Sequence, residues 1–377
     1  MYPILYFILN RLTSCGHLMY KNTKFIAKWL EINGDLNFRK LINGLECPES
    51  LKYDFNKNGE LRHIDTNQPF IFHYQNSYDS NHKRYKILGH LITQYVYEIL
   101  EKACKLQKIH IPIDAPGNEF HSSFFMSENA ITNCPATVVL LQDRGPFRAG
   151  QWGQKTIIHE GLQHGSQVPF ITMALQCSWG VIVLNPNDNF TDPKTESERL
   201  NLSEKEDTTC PLQTIPKRDS CTPEEHTTYV WDHFISKTPT RNVAFIVHGY
   251  GGLVFVNLLM QRTLEVMDKV YAVAFVDSTH HTVHQTQRDS QVQAWIWKHC
   301  RKWVSDCKPL DKSAGCFVKR DCPTVSTGTE KYSLAPSSSL QSIFKYLKNA
   351  LKTGTKECFI RSPIATRSKK NLKKISI

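Results

Sequence analysis

Three stretches of the chain hold side chains at the spacings acyl-transfer chemistry needs. The first is Arg241–Leu259, RNVAFIVHGYGGLVFVNLL. An apolar, β-branched run (Val243–Val247) leads through His248-Gly249-Tyr250-Gly251-Gly252 into an apolar helical run. A buried strand that turns sharply into a helix through small-x-nucleophile-x-Gly is the nucleophile elbow of α/β-hydrolases. In that frame the nucleophile position is Gly249, which has no side chain with which to attack. The second stretch is Asp277-Ser278-Thr279-His280-His281, at the end of the apolar run Lys269–Val276. Asp277 stands where a triad acid would orient a histidine, and its type also suits a local cap. The third follows Thr324–Thr329, where the acceptor histidine belongs and Tyr332 stands. With a pKa near 10, tyrosine is a poor general base at neutral pH. The loop after the first core strand, where oxyanion donors are expected, reads Gln142-Asp143-Arg144-Gly145. A carboxylate there opposes a developing oxyanion. His280, His281 and His284 cluster beyond Asp277 and read as surface or supporting groups, with a metal or phosphate contact as the alternative.

The elements that must position these residues alternate strand and helix. Strands are expected at TVVLL (Thr137–Leu141), GVIVLNPN (Gly180–Asn187), Val243–Val247, Lys269–Val276 and Thr324–Thr329. Helices are expected at Val168–Leu175, Thr222–Lys237, Leu253–Met260, Gln291–Val304 and Ser342–Leu351. Thr222-Pro223-Glu224-Glu225 carries the N-cap, first-turn proline and capping-box glutamate of a helix start. The pattern predicts an α/β class: an α/β-hydrolase-like, doubly wound, mostly parallel sheet with its site outside the carboxyl ends of the strands. Ahead of it, YDFNKNGELRHI around Asn58-Gly59 predicts a hairpin. Phe70–Tyr74 predicts a strand, and Lys83–Leu106 a helix with Leu88, Ile92 and Val96 on one face. The expected division is an unassigned segment over 1–50, an accessory hairpin-and-helix layer over 51–120 and the α/β domain over 121–350. A loosely held insertion is expected at 188–221, and a basic tail over 351–377.

The 377 residues carry a formal net charge of +11, concentrated toward the carboxyl end. There Arg367, Lys369, Lys370, Lys373 and Lys374 form a tail suited to nuclear import or acidic partners. The 12 cysteines show no Cys-x-x-Cys pair and resemble reduced thiols, with neither a metal site nor a cofactor expected. Tyr2–Leu9 is too short to span a membrane, so no membrane association is expected. The sequons at Asn189 and Asn201 have meaning only in an exported chain.

The segments YDFNKNGELRHI, KRYKILGHLITQYVYEILEKACKL, FFMSENAITN, RAGQW, GVIVLNPN, TPEEHTTYVWDHFI, HGYGGLVFV, VDSTHH and CPTVSTGT resemble one family in number and order. It is the cotranscriptional-regulator family carrying the Argonaute-binding (Arb-two) domain, and the chain is most similar to its B-type vertebrate branch. The family pattern has Ser at Gly249, Asp-Ser at Asp277-Ser278, His at Tyr332 and His-Gly at Gln142-Asp143. The resemblance implies a nuclear and cytoplasmic scaffold, catalytically inactive, with protein partners: Argonaute, chromatin and splicing factors, and importin. No direct sequence-specific nucleic-acid binding is implied. The rival readings are a weak serine-hydrolase-type esterase or amidase with a displaced site, and a relaxed duplicate without selected function.

Overall fold

The computed structural model describes residue 38 and residues 51–359, apart from 118, 133, 192–213 and 316–320. The expectations for residues 1–50, for the centre of the insertion and for the basic tail from 360 onward lie outside the described residues.

Asn58-Gly59 turns the chain between β1 (Tyr53–Phe55) and β2 (Leu61–His63), an antiparallel pair. Gly59 takes φ +75°, open to glycine without a Cβ penalty. Phe70–Tyr74 is not the expected strand. The amide N–H groups of Tyr74 and Gln75 donate to Asn81 Oδ1, both at 3.0 Å, in place of a strand ladder. The Arg84 guanidinium stacks 4.4 Å above the Phe70 ring. Helix α1 (Tyr78–Glu98) begins at the Ser77 cap, earlier than expected, and ends in a short wider turn, Ile99–Ala103.

The main sheet has eight strands: β3 (Leu106–Ile111), β4 (Ser122–Ser127), β5 (Thr137–Leu141), β6 (Gly180–Val183), β9 (Val243–His248), β10 (Val270–Val276), β11 (Cys300–Val304) and β12 (Thr324–Ser326). Between β6 and β9 the short antiparallel pair β7 (Phe190–Thr191) and β8 (Ile215–Pro216) closes the neck of the insertion. The spatial order is β12-β11-β10-β9-β5-β6-β4-β3. The six strands β5, β6, β9, β10, β11 and β12 are parallel, and β4 runs antiparallel to both β3 and β6. This is the expected α/β-hydrolase-like sheet.

Two boundaries differ from the sequence reading. Leu106–Ile111 belongs to the main sheet, so the accessory layer does not run to residue 120. Gln291–Val304 divides into a helix ending at His299 and strand β11, in which Cys300 and Trp303 are buried. The ends of the 188–221 insertion are ordered: the Asn189 amide donates to the carbonyls of Pro186 and Ser220 at 2.8 and 2.7 Å.

Helices cover both faces: α2 (Gln154–Glu160), α3 (Leu162–Gly165), α4 (Val168–Gln176), α5 (Pro223–Val230), α6 (Gly251–Gln261), α7 (Thr263–Lys269), α8 (Thr282–Gln285), α9 (Ser290–His299) and α10 (Ala335–Phe359). Thr222 caps α5 by accepting from Glu225 N at 3.1 Å, while the Glu225 carboxylate reaches Cys221 N instead of the expected Thr222 N. Alternation divides each strand between two cores. Val138, Leu140 and Ile246 pack with α1, α4 and α10. Val139, Leu141, Phe245 and Val247 pack with α5, α6 and α9. Phe245 is wholly buried on the central strand, between the rings of Trp231 and Phe255. Phe245→Ala is expected to cost about 3–5 kcal/mol, read as a lowered urea midpoint. An effect below about 1 kcal/mol would displace β9 from the core.

Candidate functional site

The strand order reverses direction between β5 and β9, because the chain moves from β5 outward to β6 and later returns to the other side of β5. Loops leaving the carboxyl ends of two such strands diverge and open a crevice. Here those loops are Gln142-Asp143-Arg144 after β5 and His248-Gly249-Tyr250 after β9. The 3-10 turn Tyr332–Leu334, just ahead of α10, comes in from the side. The structure thus brings together Asp143, Gly249 and Tyr332, which lie far apart in the chain.

Gly249 holds the elbow at φ +52°, in the left-handed region that disfavours a side chain. Its N–H donates to Val276 O, and its own carbonyl accepts from Thr279 N, both at 3.0 Å, so the elbow is tied to the end of β10. A Cβ at this position would overlap the carboxyl group of Asp143 and the hydroxyl of Tyr332. The space of a nucleophile is therefore already occupied.

Asp143 occupies it in a specific way. Its Oδ1 accepts from Tyr250 N at 2.7 Å and from its neighbour Arg144 N at 2.8 Å. In an elbow, the N–H after the nucleophile and an N–H from the neighbouring strand–helix loop are the groups that bind a substrate oxyanion. Here the carboxylate of Asp143 stands in for that oxyanion. Its Oδ2 accepts from the Tyr332 hydroxyl at 2.5 Å. Desolvation at its hydroxyl, and then the Asp143 carboxylate, push the Tyr332 phenol well above its ordinary range although the residue as a whole is 43% exposed, and the hydroxyl is the donor in this contact. The loop is held from behind by Asn187, whose amide donates to Asp143 O at 2.9 Å. Gln142 is buried; its carbonyl oxygen faces the Gln167 amide at 3.5 Å, and its own Nε2 has no partner among the described residues.

His248 lies beneath this cluster, 2% exposed, its ring 4.7 Å from that of Tyr332 and edge-on to Trp152. Neither ring nitrogen has a hydrogen-bond partner among the described residues. Burial pushes its pKa down to about 4, against the opposing pull of Asp143.

Asp277 is not part of the cluster's hydrogen bonding. Burial raises its carboxyl pKa, and two bonds from Ser305, N–H at 2.7 Å and hydroxyl at 2.5 Å, counter that rise. It clamps β10 to β11 and does not cap its own turn as expected. The histidines also separate. His280 is buried against the Phe275 ring, accepts from or donates to Ser278 Oγ at 2.6 Å, and meets Asp321 Oδ1 at 3.1 Å. The rings of His281 and His284 face each other on the surface, 4.3 Å apart. Asp277 therefore does not join the three histidines in a metal or phosphate contact.

Ser278, His280 and Asp321 form a hydrogen-bonded Ser–His–Asp chain that sequence spacing did not show, because Asp321 is 41 residues from His280. All three are buried, which fits a strut between the β10 and β12 ends. His280, Asp321 and Cys322 also place three ligand types within 4.8 Å. Asp321 Oδ1, however, already accepts from His280, Thr282 Oγ1 and Cys322 N, and Lys302 Nζ lies 3.7 Å from Oδ2. A carboxylate so saturated does not fit a metal ion. Burial opposes the ionised form of Asp321; the His280 bond and the Lys302 charge outweigh it and hold the pKa below the usual range.

A third buried histidine, His226, pins the neck of the insertion. Its Nε2 accepts from Asn185 N at 3.0 Å, so Nδ1 carries the proton and donates to Ser220 Oγ at 3.0 Å. Burial pushes its pKa down to about 4.

With this geometry in view, sequence comparison decides the family. A profile of the Arb2 domain matches residues 46–310. The chain belongs to the Arb2-domain family. Human ARB2BP is 56% identical over 351 residues, covering 89% of this chain and 97% of that one. The human cotranscriptional regulator ARB2A is 40% identical over 366 residues, 87% of this chain and 86% of its own. Among solved structures, the histone deacetylase Clr3 superimposes with TM-score 0.45 at 19% identity, over 70% of this chain and 39% of that chain. Naproxen esterase from Bacillus subtilis gives TM-score 0.33 at 10% identity, over 70% and 97%. No helix among the described residues is long and apolar enough to cross a membrane.

The two neutral buried imidazoles set an acid limit on this Arb2 fold. Their folded pKa of about 4 lies below the unfolded value of 6.5, so the unfolded chain binds more protons between the two. Stability is expected to be complete above pH 6.5 and to fall progressively toward pH 4. His248→Phe removes an unpartnered buried imidazole and should flatten that fall, measured as urea midpoints across the window. An identical pH slope in the variant would rule out His248 as a source.

Proposed function

We propose that this Arb2 protein is a catalytically silent α/β-hydrolase-like scaffold that acts in cotranscriptional regulation through protein contacts. One observation carries the reading: the carboxylate of Asp143 accepts the N–H groups of Tyr250 and Arg144, where a hydrolase needs free oxyanion donors. The missing side chain at Gly249 and the locked donor Tyr332 support it. The regulator role comes from relatives named cotranscriptional regulators. Argonaute, chromatin and splicing factors are the proposed partners, and nucleus and cytoplasm the proposed location.

The test is a paired assay on purified protein: hydrolysis of short acyl esters, and capture of Argonaute. The natural chain is expected to bind and to hydrolyse nothing. Ester hydrolysis lost on Asp277→Ala would instead favour the displaced-site esterase. Gly249→Ser alone is expected to destabilise by about 1–3 kcal/mol from its backbone conformation, before any overlap is counted. Adding Asp143→Ala should recover part of that loss, since the overlap is shared. Any hydrolysis is expected only in the triple variant, because Tyr332→His supplies the missing base and without Asp143→Ala the oxyanion donors stay filled.

The carboxyl-terminal basic residues Arg367, Lys369, Lys370, Lys373 and Lys374 are proposed to carry nuclear entry through importin. A fluorescent fusion lacking them should shift from nucleus to cytoplasm; an unchanged nuclear fraction would remove that part of the proposal.

A further inference from the structure

A cleft of about 730 Å³ lies at the β3–β4 edge, away from the elbow. One wall is the stripe of α1 that carries His82, Lys86, His90 and Tyr97 toward it at helical spacing. The floor is the α1-facing side of β3 and β4, where Lys108 sits opposite Phe125 and His110 opposite Ser123. The back wall holds Arg148 and Lys217. Open α/β sheets bind ligands beyond the carboxyl ends of their parallel strands, and Asp188, just past the end of β6, lines this cleft. The volume falls in the range of small-molecule sites.

The charge in the cleft is one-sided. Its two acids are committed: Asp188 to Lys217 at 2.9 Å and Arg148 at 3.6 Å, and Glu119 to Arg218 at 2.8 Å. Lys108 Nζ sits 5.1 Å above the Tyr97 ring, and among the described residues neither it nor Lys86 is paired with a carboxylate. The Nδ1 atom of His121, at the cleft floor, is shut off from solvent without a hydrogen-bond partner. Partial desolvation, and after it the charges of Lys108 and His121, hold His110 below the usual imidazole range. Two ammonium groups without a carboxylate partner among the described residues thus line one cavity.

We propose that this cleft binds a phosphate-bearing small molecule, held by Lys86 and Lys108. The two lysines reach the cavity from separate elements, α1 and β3, so the ligand would bridge helix and sheet edge. Lysine acts on phosphate as a point charge and needs no bidentate fork.

The experiment is calorimetric titration of the full chain with inorganic phosphate and, separately, with adenosine monophosphate at low salt. Saturable binding of either is expected, weakened about tenfold by Lys86→Gln and by Lys108→Gln, as losing one charge-assisted contact implies. Binding of both ligands would mean that phosphate alone is recognised, and binding of the nucleotide only that the remainder of the ligand is read as well. Hydrogen exchange on the natural protein supplies a readout independent of the variants: bound ligand should protect residues 78–98 and 106–111. No binding of either ligand at 10 mM, about the millimolar limit of specific recognition, overturns the proposal. Binding that neither substitution weakens, or protection confined to other segments, overturns it equally.

Discussion

One carboxylate organises the mouth of this sheet. Asp143 accepts two backbone N–H groups through one oxygen and a phenolic hydroxyl through the other. Charge-assisted bonds of this kind are roughly twice as strong as neutral ones. They link the loop after β5, the elbow after β9 and the turn before α10. The arrangement depends on Gly249 having no Cβ, since a side chain there would displace both Asp143 and Tyr332. The bare backbone at Gly249 and the placement of the Asp143 carboxylate are thus two parts of one packing arrangement. The N–H donors of Tyr250 and Arg144 are satisfied from within the chain.

The surrounding architecture makes that contact durable. The elbow is fixed to the end of β10 through Val276 and Thr279, and the end of β10 is fixed to β11 through Asp277 and Ser305. The Ser278–His280–Asp321 chain carries the same bracing on to the start of β12. Residues that would serve catalysis in a hydrolase frame here hold neighbouring strand ends together. Buried polar groups with full hydrogen bonding rigidify a structure, and a half-satisfied set would be costly. His248 is an exception, a buried imidazole with no polar partner among the described residues, and the Gln142 Nε2 and Trp152 Nε1 atoms nearby share that lack.

The charged groups left without a counter-charge lie elsewhere. At the elbow, the anion and its donors satisfy each other. Along the β3–β4 edge, ammonium groups face a cavity with its carboxylates already engaged. The fold therefore separates the filled crevice at the elbow from an open cationic cleft, both on the carboxyl side of the parallel strands.

Much of this was legible in the residues. Runs such as Thr137–Leu141 and Val243–Val247 are too apolar and too β-branched to be anything but strands buried on both faces. The helix start at Thr222-Pro223 and the turn at Asn58-Gly59 follow from local backbone preferences. The glycine at the nucleophile position and the acid in the oxyanion loop could be read directly, because absence of a side chain and sign of a charge are properties of residue type. Three strands of the main sheet escaped that reading: β3, β4, and β11, whose Trp-rich approach carries a helical spacing into Cys300–Val304. Tertiary structure alone decided that Asp143 and Tyr332 meet over Gly249, that Asp277 serves Ser305, and that His280 finds Asp321. Those pairings join residues 28 to 189 positions apart. Local sequence sets backbone conformation and burial, whereas partners across such distances are chosen by strand order, which exists only once the sheet has assembled.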